Sequence, residues 1–279
     1  MKTLQKSQAI QTKNHQSKTI NLAIFGHGLV GGTLINQILE SQSNIENRKG
    51  IKLNIFAIAN SKKIFLSANG INNNWVTDIN NQEIGYDINK VITFAKQHQL
   101  ENLIAVDNTA SSLFIENYEN LIEGGFHLIS SNKIANTISF DFYQNLRQTL
   151  NNNKKEYLYE TNVGAGLPLI DTIKLLHLSG ENITKIKGVF SGTLSFLFNN
   201  FSVNDASFSS VLQQAIDLGY TEPDPREDLS GNDVARKLLV LARELELENE
   251  FDEIKIQNLI PEQFQKLSGN TNESLMAIF

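Results

Sequence analysis

The sequence predicts an α/β protein with a Rossmann-type, doubly wound parallel sheet followed by a second domain of α+β type. Two observations carry this prediction: short apolar runs rich in β-branched residues alternate with helical patterns through the first half, and this pattern changes near residue 155. The length of 279 residues also exceeds what a single core usually fills. We therefore predict one domain over residues 19–155, a second over 156–279, and a polar tail or linker over 1–18.

In the first domain, four strands and four helices are predicted. The strands are short apolar runs, and the helices are segments in which apolar residues recur every three or four positions. The predicted strands are 20–25, 51–59, 103–107 and 127–130, and the predicted helices are 29–41, 87–98, 112–123 and 138–150.

In the second domain, two strands and four helices are predicted. The strands are 156–161 and 183–190, and the helices are 167–179, 193–200, 207–218 and 230–245. Ser230 is predicted to be the N-cap of the last helix. At 100° per residue, Lys237 falls at the edge of that helix's apolar stripe, and Arg236 and Arg243 point away from it.

Composition excludes several classes of protein. A net charge of −6 with no basic block argues against a nucleic-acid surface. The absence of cysteine excludes disulfides, thiolate metal sites and a Cys nucleophile, and it favours a cytoplasmic location. No window approaches the ~18 consecutive apolar residues of a membrane helix, and residues 1–18 lack the apolar core of a signal peptide.

A glycine-rich turn, Gly26-His27-Gly28-Leu29-Val30-Gly31, directly follows the first predicted strand and opens a helix. In this context GxGxxG is typical of dinucleotide binding. The glycines permit a tight turn, close approach of the pyrophosphate and close helix packing, and the helix amides face the phosphates. The alternative is a glycine-rich turn in a Rossmann-like fold that binds nothing.

The end of the second predicted strand bears on which dinucleotide is bound. An Asp or Glu there would accept hydrogen bonds from the ribose hydroxyls and repel a 2′-phosphate, but the sequence reads Ala59-Asn60-Ser61-Lys62-Lys63. NADP is therefore favoured over NAD, the alternative being that the two lysines are simply solvated. After the strand at 103–107, Thr109 and Ala110 lie where ligands bind in such sheets, although ordinary turn formation is an equal alternative.

The densest cluster of polar residues lies at 219–237. Asp233 and Lys237 are four residues apart and share one helix face. Partial burial would lower the pKa of Lys237 towards a useful acid–base range, whereas the neighbouring carboxylate resists that change. The alternative is a capping box from Ser230 to Asp233 with an ordinary surface ion pair.

Two further groups of residues are candidates for ligand binding. Four acidic residues could bind an ammonium group or, less plausibly, Mg²⁺, unless they are only solvated; they are Glu222, Asp224, Glu227 and Asp228. The glycine-rich turn before Pro168 could bind a carboxylate or a monovalent cation, unless it only starts a helix. The Tyr86–Lys90 pair imitates a dehydrogenase acid pair but lies too close to the glycine turn to serve as one.

Five segments together resemble the homoserine dehydrogenase family, most of all the dehydrogenase half of bifunctional aspartokinase/homoserine dehydrogenases. They are GHGLVGG at 26–32, ANS at 59–61, SNKIAN at 131–136, TNVGAGLP at 161–168 and GYTEPDPREDLSGNDVARK at 219–237. The last segment is long and highly specific. The resemblance extends from about residue 20 to the C-terminus.

This resemblance implies reversible hydride transfer between NAD(P)H and L-aspartate 4-semialdehyde, giving L-homoserine for threonine and methionine biosynthesis. Lys237 is the implied proton donor, Asp233 binds substrate and orients Lys237, and Glu222 binds the substrate ammonium group. Lys133 is implied to lie between cofactor and substrate, where a cation stabilises developing negative charge on oxygen.

Further implied contacts concern the cofactor and a cation. Dinucleotide contacts are implied for Gly26, His27, Gly28, Leu29, Val30, Gly31, Ala59, Thr109, Ala110, Ser131, Lys133 and Thr221. A sodium site is implied at the backbone carbonyls of Glu160, Val163, Ala165 and Leu167. Ser131 stands where the family has proline.

The resemblance also implies a homodimer formed through the second domain, fusion to or association with an aspartokinase, and no nucleic-acid or membrane partner. The family's polypeptide continues beyond the position of Phe279, and residues 1–18 stand where an aspartokinase half would be. The alternative function is therefore a catalytically incomplete NADP-binding or assembly module derived from this family.

Overall fold

The structure, a computed structural model, describes residues 17–203, 205–221 and 224–262. Its strands are β1 (Lys18–Phe25), β2 (Ile51–Ala59), β3 (Ile64–Leu66), β4 (Leu103–Asp107), β5 (His127–Ser130) and β6 (Tyr157–Leu158). Its helices are α1 (Leu29–Lys49), α2 (Trp75–Asn80), α3 (Ile88–Gln97), α4 (Tyr118–Glu123), α5 (Phe140–Asn153), α6 (Leu169–Leu178), α7 (Gly192–Phe201), α8 (Phe208–Asp217), α9 (Pro225–Ser230) and α10 (Asn232–Glu244).

The strands form a six-stranded sheet in the order β3-β2-β1-β4-β5-β6, which confirms the predicted α/β fold of Rossmann type. β1 pairs in parallel with both β2 and β4. At its carboxyl end, Phe25 lies opposite Ala59 on one side and Asp107 on the other. Three strands therefore end at the same edge, as ligand-binding sheets of this class require.

Burial explains why these segments became strands. Residues 22–25 of β1 and 54–59 of β2 are buried, as continuous apolar runs of a parallel sheet covered on both faces should be. α1 buries Gly31, Ile35 and Ile38, a spacing of four and three residues that places all three on one helix face. The glycine turn thus lies between the buried end of β1 and the start of α1.

The chain divides into two compact units. The first holds the described residues up to Asn108 together with Gly124–His127, and the second holds Thr109–Glu123 and the described residues from Leu128 onward. These units divide the chain at different positions from the predicted domain boundary between residues 155 and 156. That boundary stays a prediction.

The first unit contains two elements that the sequence analysis missed. The three-residue strand β3 is antiparallel to β2, with Ile58 opposite Phe65. The six-residue helix α2 begins at Trp75 and buries Trp75 and Ile79. Both are too short to show a periodic apolar pattern, and their formation depends on the neighbours they pack against. The other predicted helices and strands of this unit were confirmed within a few residues, except that α1 continues to Lys49.

The second unit corrects predictions about four segments. Residues 181–191 have no regular secondary structure, so the predicted strand at 183–190 is wrong. The predicted strand at 156–161 ends at Leu158 and gives way to a 3₁₀ turn over Glu160–Asn162. The helix predicted at 112–123 is a 3₁₀ turn, Phe114–Asn117, followed by α4. A strand needs a partner for its backbone groups, and an apolar run alone cannot supply one.

The fourth correction concerns α10. Its N-cap is Gly231 rather than Ser230, because Ser230 is the last residue of the separate helix α9. The predicted capping box is therefore absent. Arg243 was also predicted to point away from the core, yet its side chain is fully buried. Among the described helices, none combines the length and the apolar composition needed to cross a membrane.

Candidate functional site

The glycine turn after β1 has the geometry that GxGxxG predicts. Gly26 has a φ of 81°, in the left-handed region that favours glycine, and its N–H donates to the Ala59 carbonyl at 2.9 Å. A Cβ on Gly31 would stand 1.9 Å from the carbonyl oxygen of Gly26, so α1 can approach the turn only with glycine there. A Cβ on Gly28, by contrast, would meet no protein atom within 4 Å.

The start of α1 is suited to an anion. Its N-cap, Gly28, provides no side-chain hydrogen bond, and the first turn contains no acidic residue. The backbone N–H groups of this turn therefore lack helical acceptors and carry the positive end of the helix dipole. Leu29 and Val30 are 86% and 58% exposed, so the turn is open to a ligand. The open space at Gly28 and these amides together fit a pyrophosphate.

The end of β2 is organised by Asn60, which the sequence analysis had treated only as a missing carboxylate. Its Oδ1 accepts hydrogen bonds from the backbone N–H groups of Lys62 and Lys63, each at 2.8 Å. Its Nδ2 lies 3.0 Å from Nε2 of His27, whose ring packs edge-on against Trp75. The Lys63 ammonium donates to the Asn80 carbonyl, which leaves Lys62 as the exposed cation of the pair.

In the second unit, two lysines flank one carboxylate. Lys133 Nζ lies 3.4 Å from Oδ1 of Asp233, and Lys237 Nζ lies 2.5 Å from Oδ2 of the same carboxylate. Lys237 also donates to the Phe190 carbonyl at 2.8 Å. The side chains are 25%, 13% and 18% exposed for Lys133, Asp233 and Lys237. This is a partly desolvated charged cluster and not the surface ion pair of the alternative interpretation.

Two short helices position Asp233 and Lys237. α9 begins at Pro225 and is capped by Asp224, whose Oδ1 accepts from the Arg226 N–H at 2.9 Å. Gly231, with a φ of 81°, then turns the chain into α10. Burial acts to raise the pKa of the Asp224 carboxyl, but hydrogen bonds from Arg226 outweigh it and leave this pKa below its usual value. Asp224 therefore stays ionised as a helix cap.

Two cavities meet at Asp233. The first has a volume of about 500 Å³ and is lined by ten residues, among them Thr193, Tyr220, Thr221, Asp228, Asp233 and Lys237. The second has a volume of about 350 Å³ and is lined by Thr109, Ala110, Ser131, Asn132, Lys133, Ile134, Asp224, Glu227, Asp233 and Arg236. Lys237 thus faces one cavity and Lys133 faces the other, with the shared carboxylate between them.

The cavities separate the predicted site residues. Thr109, Ala110, Ser131 and Lys133, all predicted cofactor contacts, line the smaller cavity. Thr221 was predicted with them but lines the larger cavity instead. Glu222 lies outside the described residues.

The larger cavity is lined by Asp228, one of the four acidic residues predicted as possible ligands, and by Thr193, which was not predicted. Asp228 is 5% exposed, whereas the neighbouring Glu227 is exposed. Thr193 is also buried, and its hydroxyl donates to the Tyr220 carbonyl at 2.6 Å. The signal that could have separated Asp228 from the other acidic residues is its place one residue before the buried Leu229 of α9.

The turn between β6 and α6 has left-handed backbone at Gly164 and Ala165, with φ values of 82° and 53°. The Glu160 carboxylate accepts from the N–H groups of Ile170 and Asp171 at 2.8 and 3.0 Å, and so caps α6. This role was not predicted. The carbonyls of Glu160 and Leu167 each accept one backbone hydrogen bond, leaving further acceptor capacity. No cluster of three or more His, Asp or Glu suited to a metal occurs in the described part of the chain.

A parallel sheet with a glycine turn at its carboxyl edge defines the Rossmann-type class of dinucleotide-binding folds. Two family models match the chain: "Homoserine dehydrogenase, NAD binding domain" over residues 26–160 and "Homoserine dehydrogenase" over 168–275. The chain belongs to the homoserine dehydrogenase family.

Individual relatives agree with this assignment. The bifunctional aspartokinase/homoserine dehydrogenase of Buchnera aphidicola is 42% identical over 94% of this chain. The chain spans 32% of that relative's length. A Candida auris protein of unknown function has a similar crystal structure, with a TM-score of 0.79 and 29% identity, covering 94% of this chain and 72% of that one.

A hyperthermophilic archaeal homoserine dehydrogenase, solved in complex with NADPH, has the same fold. Its TM-score is 0.66 at 23% identity, and the match covers 81% of this chain and 70% of the archaeal one.

Proposed function

We propose that the chain catalyses the NADP(H)-dependent interconversion of L-homoserine and L-aspartate 4-semialdehyde. The observation that carries this proposal is the Lys133–Asp233–Lys237 cluster, which lies at the junction of two cavities. Family membership supplies the reaction class. The cluster supplies the groups that such a reaction needs: a proton donor, a carboxylate to orient it, and a second cation.

The cofactor is proposed to bind through its pyrophosphate at the Gly26–Gly31 turn. When bound, a nicotinamide exchanges hydride with the carbon that carries the substrate oxygen. The space beside Gly28 and the uncapped start of α1 fit a phosphate. NADP is proposed in preference to NAD because Asn60 replaces a carboxylate and Lys62 is exposed beside it.

Lys237 is proposed to transfer the proton. In the direction of reduction its Nζ donates a proton to the substrate oxygen, and in the direction of oxidation it receives the hydroxyl proton back. Asp233 holds the Lys237 ammonium in one position at 2.5 Å, and the Phe190 carbonyl restrains it from a second direction. Lys133 lowers the energy of negative charge on the substrate oxygen.

The larger cavity is proposed to receive the amino-acid end of the substrate. The buried carboxylate of Asp228 and the carboxylate of Asp233 line this cavity and favour an ammonium group, which makes charge-assisted hydrogen bonds with carboxylates. Glu222, which lies outside the described residues, stays a prediction as a further ligand of the ammonium group. Ser131 and Lys133, which line the smaller cavity, are proposed as cofactor contacts.

Several family properties remain proposals for this chain. They are a sodium ion held by the carbonyls of the turn at 160–167, a homodimer, an aspartokinase partner, a cytoplasmic location, and a place in threonine and methionine biosynthesis. The left-handed backbone at Gly164 and Ala165 supports the cation. The bifunctional relatives support an aspartokinase partner.

The proposed function is tested by nicotinamide absorbance with L-homoserine, comparing NADP with NAD. We expect reduction of NADP by the wild-type chain and a loss of roughly 10²–10⁴-fold in kcat for Lys237→Ala, which is the contribution of a general acid. NADPH affinity, followed by fluorescence titration, should stay within twofold. Turnover unchanged in Lys237→Ala would contradict the mechanism, and NADPH binding without turnover in wild type would favour the incomplete module.

A further inference from the structure

The buried arginine Arg243 lies at the far end of the helix that carries Asp233 and Lys237. Its side chain has no solvent exposure. Burial lowers the pKa of its guanidinium, although the nearby Glu250 carboxylate opposes this shift. Taking a guanidinium out of water is costly, and well-packed apolar residues often replace buried ion pairs without loss of stability. Packing alone therefore does not explain why an arginine is buried at this position.

Those contacts reach the segment that carries Lys133. The Arg243 guanidinium donates to the Asn136 carbonyl at 3.0 Å and to the Ile138 carbonyl at 2.8 Å. It also donates to the Asn249 carbonyl and to Glu250 at 3.2 and 3.4 Å. Two of its four acceptors thus belong to residues three and five positions after Lys133.

The segment from Lys133 to Ile138 is a turn closed by its own hydrogen bonds. The Lys133 carbonyl accepts from the N–H of Asn136 at 3.1 Å and from the hydroxyl of Thr137 at 3.1 Å. The N–H of Ile138 donates to the Ile134 carbonyl at 3.0 Å. A displacement at the Arg243 end of this turn is therefore transmitted to the backbone of Lys133.

The turn and α10 are consequently joined at two points. One is the Lys133–Asp233 ion pair in the first turn of the helix, and the other is Arg243 in its last turn. Ten residues separate Asp233 from Arg243, or about 15 Å along a helix at 1.5 Å per residue. A second arginine, Arg147 of α5, also holds the turn, since it donates to Oδ1 of Asn136 at 2.8 Å.

We propose that Arg243 is a positioning residue that holds the Lys133 turn in register with α10 and so sets the Lys133–Asp233 separation. It touches neither cavity and acts only through Asn136 and Ile138. This inference rests on the proposed function for its kinetic consequence, but its geometric consequence is independent of any activity.

The test compares Arg243→Met and Arg243→Lys with Leu241→Ala in the full chain. Leu241 is buried in the same helix, so its truncation destabilises the protein without removing a hydrogen bond to the turn. We expect Arg243→Met to lower kcat by about 10- to 100-fold, because small misplacements of reacting groups have effects of this size. The KM for homoserine should rise less than fivefold, and the NADPH dissociation constant should stay within twofold. Arg243→Lys retains a donor and should lose less kcat.

Leu241→Ala, assayed below its unfolding temperature, should keep kcat within twofold. Crystal structures of wild type and Arg243→Met should show the Lys133–Asp233 separation lengthening beyond the ion-pair limit of about 4 Å. If wild type does not oxidise homoserine, the proposed function fails and the measured separation alone decides the inference. An unchanged separation overturns the inference in either case. A kcat loss in Arg243→Met no larger than that of Leu241→Ala also overturns it. If Arg243→Met does not fold, Arg243→Lys decides by the same two measurements.

Discussion

The glycine turn at residues 26–31 and the charged cluster around Asp233 solve different physical problems. The turn depends on the absence of side chains. A Cβ on Gly31 would stand 1.9 Å from a backbone oxygen, and Gly28 leaves open space. The cluster depends on charged side chains, with one carboxylate held between two ammonium groups. Backbone geometry defines the first site, and desolvated charge defines the second.

This difference predicts how each site fails. A side chain added at Gly31 meets backbone atoms that cannot move aside, and one added at Gly28 fills the space proposed for the ligand, so the damage is steric in both cases. Removing one member of the cluster leaves a partly buried charge without its partner, so the damage is electrostatic. The following substitutions test that contrast, beginning with the largest expected effect.

Gly31→Ala and Gly28→Ala separate folding from binding within the turn. Gly31→Ala should lower the free energy of unfolding by about 3 kcal/mol or more, because the clash is with backbone. Gly28→Ala should leave stability within about 0.5 kcal/mol of wild type yet weaken NADPH binding by about tenfold or more, since a methyl group would occupy the space proposed for the pyrophosphate. Urea unfolding and fluorescence titration measure the two effects. Equal NADPH affinity in Gly28→Ala and wild type would remove the phosphate assignment.

Asp228→Asn tests charge in the larger cavity while keeping shape. Loss of a charge-assisted hydrogen bond should raise the KM for homoserine by about 10- to 100-fold, with a smaller change in kcat. Asp217→Asn is the matched control, because Asp217 is an exposed acid at the end of the neighbouring helix α8. Steady-state kinetics with both variants decides. Parallel KM changes in the two variants would show that net charge, and not the cavity, is responsible.

Lys62→Met and Lys63→Met test the cofactor preference. Lys62 is exposed, whereas the Lys63 ammonium is bound to the Asn80 carbonyl. Only Lys62→Met should reduce the ratio of NADP to NAD affinity, by about three- to tenfold, because an exposed cation interacts weakly through water. The effect should shrink in high salt. A larger effect from Lys63→Met would reverse the assignment of the two lysines.

Tyr86→Phe should have the smallest effect, and it appears only at alkaline pH. Burial, followed by the negative charges of Asp107 and Asp87, raises the pKa of Tyr86 to about 12. Because this folded-state pKa lies above the unfolded value of about 10, the associated stability is complete below pH 10 and is lost as pH rises through 12. Wild type should therefore lose stability faster than Tyr86→Phe over that interval in urea titrations. Identical slopes would show that Tyr86 does not titrate there.

Tyr86 also shows that a shifted pKa is not evidence of chemistry. Lys90, four residues on, donates to the Gly85 carbonyl at 3.4 Å. The Tyr86–Lys90 pair lies too close to the glycine turn in the sequence to serve as a dehydrogenase acid pair, and this contact is consistent with that prediction.

An element of the fold could be predicted when consecutive residues alone carry its pattern. β2, β4 and β5 were predicted to the residue. β2 and β4 are apolar runs long enough to be buried, whereas in β5 only alternate residues are buried. The strand predicted at 183–190 has the same type of pattern, but the described structure gives it no neighbour to pair with. Arg243 illustrates the same limit in a helix, since residue spacing around α10 cannot show which other segment covers that face.

The sequence by itself determined the individual strands β2 and β4, the glycine turn and the Asp233–Lys237 pair, because each depends on residues close to one another in the chain. Only the tertiary structure decided that Lys133, one hundred residues earlier, shares the Asp233 carboxylate. It also decided that Asp228 rather than Glu227 is buried, and that Arg243 donates hydrogen bonds to the Lys133 turn. These contacts join segments far apart in the chain, and their geometry depends on how whole elements pack, which no local pattern of residues records.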